Sequence, residues 1–371
     1  MKIVAAVAWE KDAPLRLETL DLEAPRADEI LVRVSATGIC HTDLAVRSGL
    51  LPTPLPVVLG HEGLGVVEAV GSAVTKVAPG DHVVMSFNFC GKCPSCLDHA
   101  PAYCYEFSQR NFFATRADGT TALSKDGVII HSNFFGQSSF ASYALCREVN
   151  VVKVPKSAPL ELLGPLGCGL QTGAGAVMNA LNVTAGKTFV VFGAGSVGIA
   201  AVMAAKVVGA SSIIVVDKND DRLATARSLG ATHSFNSSVH DPVKEIFAVT
   251  TFGANFSLDT TGVPAVIRTA VESLAPRGVC GLLGASGPHS ELVLNETHFM
   301  IGGRRLIGIV EGESDPDVFI PKLIGLHGEG RFPFETLVKF YEPDQINGAI
   351  DDSLSGATIK PIVRFRDSNH R

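Results

Sequence analysis

The 371 residues are 46% hydrophobic and 18% charged, with a formal net charge of −6. This length exceeds one ordinary hydrophobic core and points to two domains. The composition excludes a disordered chain, and the acidic balance argues against a nucleic-acid-binding surface.

The opening apolar run, Ile3 to Trp9, meets Glu10-Lys11-Asp12 at once, unlike the core of a secretory signal, so a cytoplasmic protein is expected. The first half reads as β-rich. Glu29 to Ser35, Gly63 to Val70 and Asp81 to Met85 form alternating runs between Gly and Pro turns, the pattern of half-buried strands. From about Leu170 the texture changes. Apolar runs at Thr188 to Phe192, Ser212 to Asp217, Phe256 to Asp259 and Gly278 to Leu283 alternate with helical stretches, of which Asp220 to Leu229 and Pro264 to Leu274 are the clearest. Continuous apolar strands between amphipathic helices indicate a parallel sheet covered on both faces.

One stretch within this region, Thr188 to Ala205, is uncharged and long enough to mimic a membrane span. Gly193, Gly195 and Gly198 break it into a strand, a turn and a helix, so a buried α/β unit is expected. After about Val310 mixed helix and strand return, ending in Ile359 to Phe365. A nucleotide domain inserted late into a discontinuous catalytic domain fits this order.

Eight cysteines stand at 40, 90, 93, 96, 104, 146, 168 and 280. In a chain of this size without an export signal, metal ligands or free thiols are expected rather than disulfides. Cys90-x2-Cys93-x2-Cys96-x7-Cys104 is the most specific pattern in the sequence. Four thiolates at this spacing can close a tetrahedral zinc shell, and the Gly-Lys and Pro-Ser spacers permit the tight turns required. An iron–sulfur cluster is the rival occupant, and unrelated buried or disulfide-linked cysteines are the inert alternative. A closed shell supports a lobe and does no chemistry.

Gly193-Ala-Gly195-Ser-Val-Gly198 follows a predicted strand, opens a predicted helix and precedes, by about 20 residues, a strand ending at Asp217, the context of a dinucleotide fingerprint. Its glycines admit the pyrophosphate, and the helix N-terminus supplies free N–H groups and a favourable dipole. Asp217 can accept from an adenosine ribose and would repel a 2′-phosphate, which favours NAD over NADP. Cys40, the pair His61-Glu62, and Cys168 each sit among glycines. Taken singly, a buried Cys is more often a small hydrophobe than a ligand, and spacing alone does not bring these three regions together.

The segments Gly38-Ile-Cys-His-Thr-Asp43, Gly60-His-Glu-Gly-x-Gly65, the four-cysteine run, Gly167-Cys-Gly169 and the glycine loop occur in the same order as in zinc-containing medium-chain alcohol dehydrogenases. The chain resembles that family over essentially its whole length, and within it most resembles aryl-alcohol (benzyl alcohol) dehydrogenases. The resemblance implies an α/β fold, a Rossmann doubly wound parallel sheet plus a β-rich GroES-like catalytic domain. The catalytic domain is expected at 1–169 and 310–371, with a structural zinc lobe at about 88–106, and the NAD-binding domain at 170–309. It implies two zinc ions and NAD. Cys40, His61 and Cys168 become the catalytic zinc ligands, with Glu62 close behind as a transient ligand and Asp43 orienting His61. His41, Thr172, Val197, Arg222 and Lys360 fall with Gly193, Gly195, Gly198 and Asp217 on cofactor positions.

The implied reaction is reversible oxidation of a primary, aromatic alcohol to its aldehyde, by alkoxide formation at zinc and hydride transfer. Thr42 matches the hydroxyl that starts the family's proton relay, but Ala45 stands where many relatives carry its histidine. Proton exit through water, or through His41, is expected instead. Another alcohol class (aliphatic, polyol or the glutathione adduct of formaldehyde) is the enzymatic alternative, and a nonenzymatic zinc-stabilised nucleotide-binding protein the other. A homotetramer is implied, with a dimer as the alternative. Cys146 and Cys280 match no ligand position and are expected in packing. The phenylalanine pairs 112–113 and 134–135 fit a core better than an aromatic pocket.

Overall fold

A computed structural model of the protein describes residues 1–287 and 289–365. Residues 366–371, the end of the segment expected to close the catalytic domain, lie outside the described residues. The chain forms two compact units. One comprises Met1–Cys168, Asp315–Ile324 and the chain from Glu335 onward; the other comprises Gly169–Ser314 and Gly325–Phe334.

The first unit is built on two sheets. In the larger, the strand Glu29–Gly38 is the hub: Glu62–Val70 and Tyr143–Arg147 pair with it antiparallel, as does Lys360–Arg364 near its C-terminal end. His82–Met85 and Val151–Val154 extend that sheet on one side and Val338–Tyr341 on the other. The second sheet runs Val57–Val58, Lys2–Ala8, Arg16–Leu22, Leu123–Lys125, Val128–Ile130. Inward side chains such as Ile30, Val32, Val34, Val67, Val83 and Phe140 are buried in one core. Each fully buried aliphatic side chain of this kind contributes about 1.5–3 kcal/mol of transfer free energy.

The second unit carries a six-stranded, wholly parallel sheet. Its order is His233–Asn236, Ser212–Asp217, Thr188–Phe192, Ala254–Asp259, Leu274–Leu282, Arg305–Gly308. In chain order this is 3-2-1-4-5-6, the doubly wound arrangement in which ligands bind where the strand order reverses. The strands expected at 188–192 and 212–217 and the helix at 220–229 take those bounds. The helices start where local chemistry supplies a partner for the free backbone donors: Asn219 Oδ1 accepts from Arg222 N at 3.0 Å, and Asp241 Oδ1 from Val243 N at 3.1 Å. Such caps are each worth about 1 kcal/mol. The apolar stretch after Thr188 is a buried strand followed by the helix Ser196–Val207. Among the described residues, no helix is long and apolar enough to cross a membrane.

Candidate active site and metal centres

Strand register brings the distant ligand candidates together. Gly38 lies opposite Glu62 in the antiparallel pair, so Cys40, two residues past one strand, and His61, one residue before the other, emerge at the same end. Cys168 arrives by a tight helical turn, Gly164–Gly167, packed on this end of the sheet. A Cβ on Gly164 would lie 2.3 Å from the Glu62 carbonyl oxygen and one on Gly167 2.2 Å from that of Met85. Only glycine permits this approach. Ser86 then donates to the Gly167 carbonyl at 2.6 Å. Ligand atoms of Cys40, His61 and Cys168 consequently lie within 4.8 Å of one another.

The donor set suits zinc. Asp43, buried in the helix His41–Arg47, accepts from Cys40 N (3.0 Å) and Gly60 N (3.0 Å) and bonds His61 Nδ1 at 2.9 Å. That bond fixes the imidazole and leaves Nε2 for a metal; Nε2 is buried and has no hydrogen-bond partner. Two thiols and one imidazole with a carboxylate behind it form a three-ligand zinc site, the pattern that keeps a fourth position open. A hydrogen bond from Cys168 outweighs burial and, with His61 and Lys360, holds the Cys40 thiol well below its ordinary pKa. Burial pushes the His61 pKa down, but Asp43 and Cys40 override it and the group sits well above its usual value. Thr42 Oγ1 lies 3.9 Å from Cys40 Sγ. Glu62 is not one of this ligand set: its carboxylate pairs with Lys360 Nζ at 2.8 Å.

The second centre is local. Sulfur atoms of Cys90, Cys93, Cys96 and Cys104 lie within 4.8 Å of one another. Backbone N–H groups supply their surroundings: Cys93 N donates to Cys90 Sγ at 3.2 Å, Cys90 N to Cys104 Sγ at 3.3 Å and Tyr105 N to Cys93 Sγ at 3.5 Å. The Tyr105 N–H, foremost among these, lowers the Cys93 pKa to about 6, whereas burial pushes Cys96 up to about 12. Four sulfur donors and no remaining position make a closed structural zinc shell.

In the second unit Gly193 has φ +99° and opens the turn before the helix Ser196–Val207. A Cβ on Gly198 would lie 1.8 Å from the Gly193 carbonyl oxygen, while one on Gly195 would meet nothing within 4 Å. The loop is therefore closed on its helix side and open at Gly195, as a pyrophosphate cradle must be. Asp217 ends its strand with Oδ2 accepting from Ala194 N at 2.6 Å and Oδ1 from Lys218 N and Asn219 N at 2.7 and 2.9 Å. Arg222 has its Nε buried without a hydrogen-bond partner. Val197 is half-buried in the loop's first helical turn, and Thr172 donates to Glu311 Oε2 at 3.3 Å.

Of the other expected cofactor residues, His41 is exposed at the start of its helix, and Lys360 is 1% exposed and engaged with Glu62. The free Cys146 and Cys280 are buried, and desolvation raises both thiols, Cys280 to about 12.

Sequence reasoning missed the aromatic surroundings of His61. Phe135, with φ +50°, stacks on the imidazole at 4.5 Å between centroids, and Phe134 meets it edge-on at 5.6 Å. Phe107 and Phe112, from the helix Phe107–Phe112 just after Cys104, stand edge-on to Phe135 at 6.3 and 5.3 Å. The pair at 134–135 was the available signal; Phe113, by contrast, is 50% exposed.

Comparison with known proteins agrees with this geometry. Residues 26–156 match the alcohol dehydrogenase GroES-like domain and residues 196–324 the zinc-binding dehydrogenase family. The chain is 44% identical over 363 residues to geraniol dehydrogenase of Castellaniella defragrans, covering 97% of each protein. A solved alcohol dehydrogenase zinc-binding domain protein from Burkholderia ambifaria is 53% identical, with a TM-score of 0.97 over 99% of this chain and 100% of that one. Benzyl alcohol dehydrogenase from Acinetobacter calcoaceticus is 49% identical, with a TM-score of 0.96 and the same coverage. The chain belongs to the zinc-containing medium-chain alcohol dehydrogenases, enzymes that use zinc and a nicotinamide dinucleotide.

Proposed function

We propose that this enzyme oxidises a primary aromatic alcohol of the benzyl alcohol type to its aldehyde, reversibly, with NAD in preference to NADP. The observation that carries the aromatic reading is the pair of rings on His61: Phe135 stacked and Phe134 edge-on place aromatic surface directly against a catalytic ligand. Likeness to the Acinetobacter benzyl alcohol dehydrogenase supports it. The Castellaniella relative supports a second reading, geraniol. Asp217 favours NAD, since a 2′-phosphate beside its carboxylate would meet like charge. A homotetramer in the cytoplasm is inferred from the same family likeness, with a dimer as the alternative.

When bound, zinc supplies the Lewis acidity that lowers the pKa of an alcohol hydroxyl, and NAD supplies the hydride acceptor. The protein's own share is orientation. Asp43 fixes the His61 tautomer, and Thr42, beside Cys40, offers a hydroxyl to take the substrate proton. Ala45 cannot pass that proton on, so it leaves through water or through the exposed His41.

Initial rates on benzyl alcohol, geraniol, ethanol and a polyol, each with NAD and NADP, test the proposal. The highest kcat/KM is expected for benzyl alcohol with NAD. Absence of turnover with every aromatic alcohol would overturn the substrate, and equal use of NADP would overturn the role of Asp217.

A further inference from the structure

Lys360 opens the final described strand, Lys360–Arg364, and a lysine is seldom fully buried without a partner that compensates its charge. Here Nζ donates to Glu62 Oε1 at 2.9 Å, Glu62 Oε2 at 2.8 Å and the Ile39 carbonyl at 3.1 Å. These contacts match the three donors of an ammonium group.

The positions of the acceptors give the contacts their meaning. Ile39 immediately precedes Cys40, and Glu62 immediately follows His61. Ile39 N also donates to the Pro361 carbonyl at 3.0 Å, so the residue before Cys40 is tied to the last strand through both its backbone groups. Gly38 makes the room: a Cβ there would stand 2.0 Å from Glu62 Oε2. In the sheet, Gly38 faces Glu62 on one side and Ile362 on the other.

We propose that Lys360 is a positioning residue of the catalytic metal site. It staples the segment bearing Cys40 to the segment bearing His61, and by engaging both Glu62 oxygens it keeps that carboxylate turned away from the metal. This assigns Lys360 to the metal centre rather than to the dinucleotide.

The test uses the zinc-loaded holoenzyme and the double variant Lys360→Met/Glu62→Gln, which removes the staple without leaving one buried charge unpaired. Transfer of zinc to a chromogenic chelator is followed in time, NADH affinity is measured by fluorescence, and the visible spectrum is recorded after cobalt replaces the catalytic zinc. One of the two zinc ions should leave at least about 10-fold faster, in the range for lost outer contacts of a metal site, with the other unchanged. The cobalt bands should shift, and NADH affinity should stay within about twofold. Unchanged release of both ions overturns the proposal, whether or not NADH binding weakens. Equal acceleration of both ions overturns it too, because it marks a general loss of structure. The single variant Glu62→Gln, which keeps the lysine and an amide acceptor, should release zinc more slowly than the double variant; release as fast as in the double variant also counts against the staple.

Discussion

The two zinc centres of the first unit are built on opposite plans. The four-cysteine shell draws all its sulfurs from positions 90 to 104, three of them half-buried, and surrounds them with backbone N–H donors. The catalytic centre gathers Cys40, His61 and Cys168 from three separate strand ends and surrounds them with buried side chains: Asp43, Glu62, Lys360, Phe134 and Phe135. A local shell depends on its ion for shape, because short loops have little else to hold them. A shell assembled by long-range register is shaped by the fold and waits for the ion. The first plan suits support; the second leaves a position open for chemistry.

Breaking the local shell should produce the larger change in stability. Cys96→Ser removes one of four thiolates, and structural zinc contributes its binding free energy to folding, on the order of 10 kcal/mol in isolated zinc modules. Within this larger unit only the part spent on the lobe is lost, so the expected outcome is proteolytic cleavage confined to about residues 88–113. Limited proteolysis with mass spectrometry checks it; a cleavage pattern like that of the unsubstituted protein would mean the lobe holds its shape without zinc.

A smaller effect is expected from the other centre. Asp43→Ala takes away the carboxylate that fixes His61 and should lower catalytic metal affinity or activity roughly 10–100-fold. The four-cysteine zinc should remain unaffected. Competition with a chelator of known affinity reads both ions; a loss below about twofold at the catalytic centre would show that register alone orients the histidine.

The same contrast explains what the sequence discloses. The x2-x2-x7 spacing of the cysteines announces a metal site because its geometry is local. The parallel sheet is equally readable, since strands such as Thr188–Phe192 and Ser212–Asp217 are continuous apolar runs between capped helices. Cys40, His61 and Cys168 are individually unremarkable, and only the order of motifs across the whole chain connects them. Their meeting depends on Gly38 facing Glu62 across two antiparallel strands, and register between distant strands has no local signature. The staple from Lys360 to Glu62 spans almost the length of the chain, and the left-handed Phe135 against His61 depends on packing from another segment. Neither could be read from spacing.

The division of labour between the two centres is tested most directly by the zinc content of Cys168→Ser against the unsubstituted enzyme, both purified folded and without chelator. Two zinc ions per chain are expected in the enzyme and one in the variant, because the closed shell at Cys90, Cys93, Cys96 and Cys104 does not depend on Cys168. Two ions retained in the variant, or a single ion in the unsubstituted enzyme, would contradict the account.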